Sequence, residues 1–150
     1  MGTNSTASRL ANLTFSLLAN CQEKEVHLAK LHKLTQAEYR CLRLFGKNES
    51  INNKTIATRM KLSPSRLTRI IDGLVVKGYI RRQIDSHDRR NMKVNLSRKG
   101  KSLVQKLNSS YVDIHDEILQ DIDPSHHEQL ISGMTHLLKA LEKWLAKAEL

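Results

Sequence analysis

Along residues 7–34 apolar side chains recur at Leu10, Leu13, Leu17, Cys21, Leu28 and Leu31 in mixed three- and four-residue steps, with no Pro or Gly. That spacing predicts an amphipathic helix. It has to end before Thr35-Gln36-Ala37-Glu38, where a hydroxyl and a carboxylate three residues apart can satisfy the first free amides of a new helix. The second helix is expected to run to about residue 47 and to bury Cys41, Leu42 and Phe45, and the polar residues 48–53 read as a turn. A short third helix over about 54–60 turns Ile56, Ala57 and Met60 inward. Ser63-Pro64 then pairs an N-cap with proline at the first helical position. In the fourth helix Leu67, Ile70, Ile71 and Leu74 fall at i, i+3, i+4 and i+7, and Gly78 supplies the stop after Lys77.

Past Gly78 the period changes from 3.6 to 2. Ile80, Arg82 and Ile84 alternate with polar positions, as do Met92, Val94 and Leu96, and the polar run 86–91 lies between them. This predicts a β-hairpin with a charged tip. A long helix over about 98–121 follows, and Asp123-Pro124 caps a last helix in which Leu130, Met134, Leu137, Leu141 and Leu145 recur at three- and four-residue steps. The fold class is mainly α with a small β-hairpin wing. A short helix, a tight turn, a second helix and a basic hairpin follow the order of a winged helix-turn-helix. Residues 35–101 form the lobe, and residues 1–34 and 102–150 form a helical dimerisation region.

The 150 residues have room for one domain with a core, or for a small domain with an extension. Aromatics are only 4% of the chain, so Leu and Ile must fill that core. No run approaches the roughly 20 apolar residues of a membrane helix, and no leader pattern opens the chain. The expectation is a soluble, cytoplasmic protein with no membrane partner. Cys21 and Cys41 form neither a paired motif nor zinc spacing and read as buried thiols in a reducing compartment. The formal charge of +10 is unevenly spread: residues 54–101 hold fourteen Lys and Arg against three Asp, whereas residues 102–150 hold four basic against eight acidic side chains. So sharp a boundary points to a polyanion partner.

On the fourth helix Ser65 and Arg69 lie opposite the apolar stripe, with Arg66 and Thr68 on its flanks and Ser63 at its start. Only the major groove of B-DNA gives each base pair its own donor and acceptor pattern, and it admits one helix bearing short polar and cationic side chains. Arg can grip guanine with two hydrogen bonds, worth about 1–3 kcal/mol of discrimination. The hairpin carries Asp88, Arg89 and Arg90 at its tip and Lys93 on its outer edge. A thin ribbon of this kind can enter the minor groove, with Asp88 orienting a guanidinium. Lys54, opening the third helix, is the candidate for a DNA-backbone contact.

Four stretches carry a resemblance: 34–42 (Leu34-Thr35-Gln36-Ala37-Glu38-Tyr39-Arg40-Cys41-Leu42), Ser63-Pro64-Ser65-Arg66-Leu67 continuing to Asp72-Gly73-Leu74, Lys77-Gly78-Tyr79-Ile80-Arg81-Arg82 with Asp85-Ser86-His87-Asp88-Arg89-Arg90, and Asn95-Leu96-Ser97-Arg98-Lys99-Gly100. Together they resemble the multiple-antibiotic-resistance regulator (MarR) family. The resemblance implies a homodimer in which N- and C-terminal helices interleave between two DNA-binding lobes, a recognition helix at about 63–77 and a wing at about 80–96. It makes Arg90 the minor-groove arginine and Asp88 its partner. It also implies a small-molecule effector in a crevice near the first, second and fifth helices. Lys61 departs from the family pattern, which has glycine in that turn; an altered turn is expected, since a left-handed lysine costs roughly 1 kcal/mol.

Cys21, close to Lys24, is the candidate for a thiol switch, and Cys41 falls on a buried helix face. Cys21, Glu25, His27, His32, Glu38 and His115 form no compact metal motif, so no metal and no cofactor is expected. Nucleophile elbow, phosphate loop, zinc-protease motif and dinucleotide turn are all missing, which argues against an enzyme. The remaining rival is a less specific architectural binder of duplex DNA, because no aromatic platform for RNA is present.

Overall fold

The computed structural model of the chain describes residues 5–84, 87 and 92–149. Two compact units divide between Ser110 and Tyr111. The first contains α1 (Thr6–Leu31), α2 (Gln36–Arg43), β1 (Ser50–Asn52), α3 (Asn53–Met60), α4 (Pro64–Val76), β2 (Ile80–Ile84), β3 (Met92–Leu96) and the opening turns of α5 (Arg98–Gln120). The second contains the end of α5, a 3-10 turn (Pro124–His126) and α6 (His127–Ala148).

The helices expected from periodicity are present, and their ends differ for local reasons. α1 stops at Leu31 rather than 34: Leu34 N–H donates to Ala29 O at 2.9 Å while Lys33 takes a left-handed φ of 56°, a Schellman closure that drops Leu34 into the core. α2 stops at Arg43 rather than about 47. Its final turn tightens through Leu44 N–H to Cys41 O and Phe45 N–H to Leu42 O, both 3.2 Å, and Gly46 at φ 51° ends it. At Lys61 the expected altered turn is not found. Lys61 itself adopts φ 54°, ψ 46°, the conformation a glycine would supply, and Leu62 N–H closes onto Ala57 O at 3.0 Å. The strain of a left-handed lysine is accepted rather than avoided.

Residues 48–53, read as a turn, contain β1. It pairs antiparallel with β3 in the register Ile51 to Val94, which makes a three-stranded sheet of order β1-β3-β2. Three residues are too few to show a period, and Ile51 is the single one that points inward. β2 and β3 form the expected hairpin, with Ile80 opposite Leu96 and Ile84 opposite Met92.

The core of the first unit gathers Leu28 and Ala29 from α1, Tyr39, Cys41, Leu42 and Phe45 from the α2 region, Ile56 from α3, Leu67, Ile71 and Leu74 from α4, Ile80 and Val94 from the sheet, and Leu103, Val104 and Leu107 from α5. Ile70, expected in the α4 stripe, is only half-buried, and Ile84 is exposed. Leu10, Leu13 and Leu17 of α1 are exposed, as are all the large apolar residues of α6.

Ser97 joins β3 to α5. Its hydroxyl donates to Gly78 O at 2.6 Å and accepts from Gly100 N–H at 3.0 Å, while its own N–H donates to Tyr79 O at 2.9 Å. A Cβ on Gly100 would run into the Tyr79 carbonyl oxygen, a backbone atom that cannot turn aside. Gly100→Ala is therefore expected to push α5 off the sheet entrance and cost about 1–3 kcal/mol. A midpoint of urea or thermal unfolding equal to wild type would contradict this packing.

Candidate nucleic-acid interface

α4 is held at its start by Ser63, whose Oγ accepts from Arg66 N–H at 3.4 Å, and by Pro64, whose fixed φ suits the first turn. Burial of Leu67, Ile71 and Leu74 on one side leaves Ser63, Ser65, Arg66, Thr68 and Arg69 exposed on the other. The Thr68 hydroxyl donates to Pro64 O at 2.8 Å, so it meets a ligand as an acceptor. Ser63 and Ser65 hydroxyls lie 3.3 Å apart. Among the described residues neither the Arg66 nor the Arg69 guanidinium has a hydrogen-bond or ion-pair partner.

Lys54 is exposed in the first turn of α3, where its N–H donates to Asn52 Oδ1 at 2.8 Å. Lys93 is exposed on β3, opposite Gln83 of β2 and Asn52 of β1. Asp88, Arg89 and Arg90 lie outside the described residues. Arg59 and Lys61, exposed at the end of α3, join the same basic segment; neither was a sequence candidate for a DNA contact, Lys61 being singled out only for its turn. Asp72 on α4 pairs with Arg82 on β2, which ties the hairpin to the flank of α4.

The far end of α4 is fixed by a buried carboxylate. Glu38 is 4% exposed, and its Oε1 accepts from Lys77 Nζ at 2.7 Å and from Thr35 N–H at 2.9 Å. Lys77 Nζ also donates to Lys33 O at 3.0 Å, and Lys77 O accepts from Lys99 Nζ at 3.0 Å. Glu38 Oε2 is buried without a partner among the described residues, at 3.0 Å from where a Cβ on Gly73 would sit. Burial pushes the Glu38 carboxyl up, but the hydrogen bonds from Lys77 and Thr35 outweigh it and hold it below the ordinary carboxylate value.

The two cysteines separate. Cys41 is fully buried, and burial together with the Glu38 charge pushes its thiol up to about 12, so it stays protonated. Cys21, expected to be buried, is exposed, because only the last turns of α1 enter the core; Lys24 Nζ stands 3.8 Å from its Sγ. Among the described residues no group of three or more His, Cys, Asp and Glu could hold a metal ion, and no helix is long and apolar enough to cross a membrane.

A three-helix lobe with a three-stranded sheet, an outward cationic helix and a basic hairpin define a winged helix-turn-helix protein. The sequence model of the MarR family matches residues 34–92. The HTH-type transcriptional regulator SarZ of Staphylococcus saprophyticus is 30% identical over 101 residues, 67% of this chain and 69% of that protein. SarZ of Staphylococcus haemolyticus is 28% identical over 137 residues, 87% of this chain and 90% of that protein. The fold matches Streptococcus pneumoniae FabT, solved in complex with DNA, with a TM-score of 0.73 and 20% identity over 92% of this chain and 99% of that one. The chain belongs to the MarR family and is a DNA-binding transcriptional regulator.

Because the Glu38 carboxyl is lowered in the folded state, its contribution to stability is fully present above the unfolded value of 4.5 and is lost as the pH falls through the lower folded value. Glu38→Gln should flatten this acid limb. Lys77→Met, which strands the carboxylate, should cost about 1–3 kcal/mol at neutral pH. Unfolding curves recorded from pH 7 to the acid limit test both, and identical acid limbs in wild type and Glu38→Gln would contradict the assignment.

Proposed function

We propose that the chain is a repressor that binds a pseudo-palindromic operator as a homodimer and is released or modulated by a small ligand. The observation that carries this reading is the outward face of α4, where Ser65, Arg66, Thr68 and Arg69 stand exposed and neither guanidinium has a partner among the described residues. Arg69 and Arg66 read bases in the major groove, and Ser63, Ser65 and Thr68 contact bases or phosphates. Lys54 contacts the DNA backbone. Asp88, Arg89, Arg90 and Lys93 form the wing, with Arg90 in the minor groove and Asp88 orienting it. The FabT complex supports duplex DNA as the partner.

One helix touches too few base pairs to select a site, and a two-fold pair reads half-sites about 34–36 Å apart. Residues 1–34 and 102–150 supply the dimer seam, a role favoured by the exposed Leu130, Met134, Leu137, Leu141 and Leu145 of α6 and by Leu10, Leu13 and Leu17 of α1. The near-neutral to acidic character of these regions keeps the seam away from DNA.

A thiol-based redox regulator is the second reading. It is favoured by an exposed Cys21, accessible to an oxidant, with the Lys24 ammonium 3.8 Å from its sulfur. Cys21→Ser should then abolish any peroxide-induced loss of DNA binding, and an unchanged peroxide response removes this reading.

Selection of bound duplexes from a random pool tests the main reading. The selected operator should bind at least about 10³-fold tighter than random duplex at physiological salt, and a ratio near unity would favour an architectural binder. Arg69→Ala should relax base preference at one position per half-site. Arg90→Ala should weaken A·T-flanked sites and lower the salt slope by about one phosphate equivalent. Unaltered binding in both variants would overturn the assigned reading surface.

A further inference from the structure

We propose that the cleft between the α4–β2 turn and the first turns of α5 is a binding site for a phosphate-bearing small molecule. The cleft has a volume of about 550 Å³, within the range of small-molecule sites. Arg81, Arg98, Lys99 and Lys106 line it together with Tyr79 and Ser102, and no carboxylate among the described residues lines it.

The state of the cations around it is uneven. Outside the cleft Lys77 pairs with Glu38, Arg82 with Asp72 and Lys101 with Glu49. Inside it, Arg81, Arg98 and Lys106 have no hydrogen-bond or ion-pair partner among the described residues. Arg98, Ser102 and Lys106 follow one another at i, i+4 and i+8 on α5, and the α5 positions three and four residues from either cation, Lys101, Ser102, Leu103, Ser109 and Ser110, hold no carboxylate. Lys99 is fixed in the wall by its bond to Lys77 O and by the Tyr79 ring, whose centroid is 4.8 Å from Nζ. Converging like charges repel one another, and an oxyanion with several acceptors relieves that repulsion while receiving charge-assisted hydrogen bonds. Ser97 caps Gly100 N–H and leaves the Arg98 and Lys99 amides as further donors.

The phosphate could belong to a soluble molecule or to the DNA backbone. The thirteen residues of α4 span about 20 Å, with the proposed reading side chains at the N-terminal end and the cleft just past the C-terminal cap at Lys77. This favours a soluble molecule, a choice of source that rests on the reading face proposed above; the cleft itself does not.

Calorimetric titration of the full chain with pyrophosphate at fixed ionic strength is the test. Wild type should bind with a Kd tighter than about 1 mM. Arg98→Gln with Lys106→Gln should weaken this at least about tenfold, because two charge-assisted bonds are lost. The charge-matched control, Lys139→Gln with Lys143→Gln on α6, should stay within about twofold. No binding by wild type, or equal losses in the two double variants, would overturn the site. A random duplex weakened by the same factor in the cleft variant would make the occupant DNA phosphate and overturn the small-molecule assignment, whatever the fate of Arg69→Ala.

Discussion

Glu38 is a carboxylate nearly removed from water, and the placement of α4 follows from how that charge is satisfied. Taking a carboxylate out of water costs several kcal/mol, and the cost is met only by good geometry. Here Lys77 supplies the cation at 2.7 Å and the Thr35 amide supplies a second donor at 2.9 Å. Glu38 and Lys77 lie 39 residues apart, so the contact joins the start of α2 to the end of α4. Lys33 O, exposed by the left-handed turn that ends α1, takes another proton of the same ammonium. Gly73 is part of the same device, since any side chain there would press on the second carboxylate oxygen. Sliding or tilting α4 would strip the carboxylate of its cation, so the helix is stiff about its C-terminal end.

That stiffness decides what remains for a partner. One side of α4 is spent on Leu67, Ile71 and Leu74, its end on Lys77, and its flank on the Asp72–Arg82 pair. On the N-terminal, outward face the Arg66 and Arg69 guanidinium groups have no ion-pair or hydrogen-bond partner among the described residues, and the side chains beside them are short. Residues 54–101 hold fourteen basic against three acidic side chains. Among the described residues Lys77, Arg82 and Lys101 of that segment are ion-paired, whereas Arg66 and Arg69 on α4 are not. A polyanion on the α4 face would therefore break no internal ion pair.

How far this was readable from sequence varied with how local the cause was. α4 announced itself through Ser63-Pro64 and a stripe at helical spacing, and the hairpin through a change of period at Gly78; both causes lie within a few residues. The capping box at Thr35 and Glu38 was readable for the same reason, but its second role was not, because nothing near Glu38 in sequence points to Lys77. β1 was missed since a three-residue strand owes its existence to Val94 on a distant segment. Lys61 was misjudged because propensity speaks for an isolated residue, whereas the turn is dictated by the closure of Leu62 onto Ala57. Cys21 was taken as buried on the strength of an apolar face that the first unit covers only at Leu28 and Ala29. The outward residues of α4 were legible as exposed and cationic; the base-reading role proposed for them is a matter of partner, which no fold states.

α6 presents the opposite balance. Its Leu, Ile, Met and Trp side chains recur at helical spacing as strictly as those of α4, yet none is buried. Burying one such side chain fully is worth about 1.5–3 kcal/mol, so Leu130, Met134, Leu137, Leu141 and Leu145, each 36–57% exposed, together represent roughly 3–7 kcal/mol of unrealised burial. A helix kept this apolar without a partner would promote indiscriminate association. The proposed pairing with a second copy would remove that surface from water, and it would make the folding of the second unit depend on chain concentration. The two units thus differ by physical type: the lobe withholds cations from its internal bonding, and α6 withholds apolar surface from its own core.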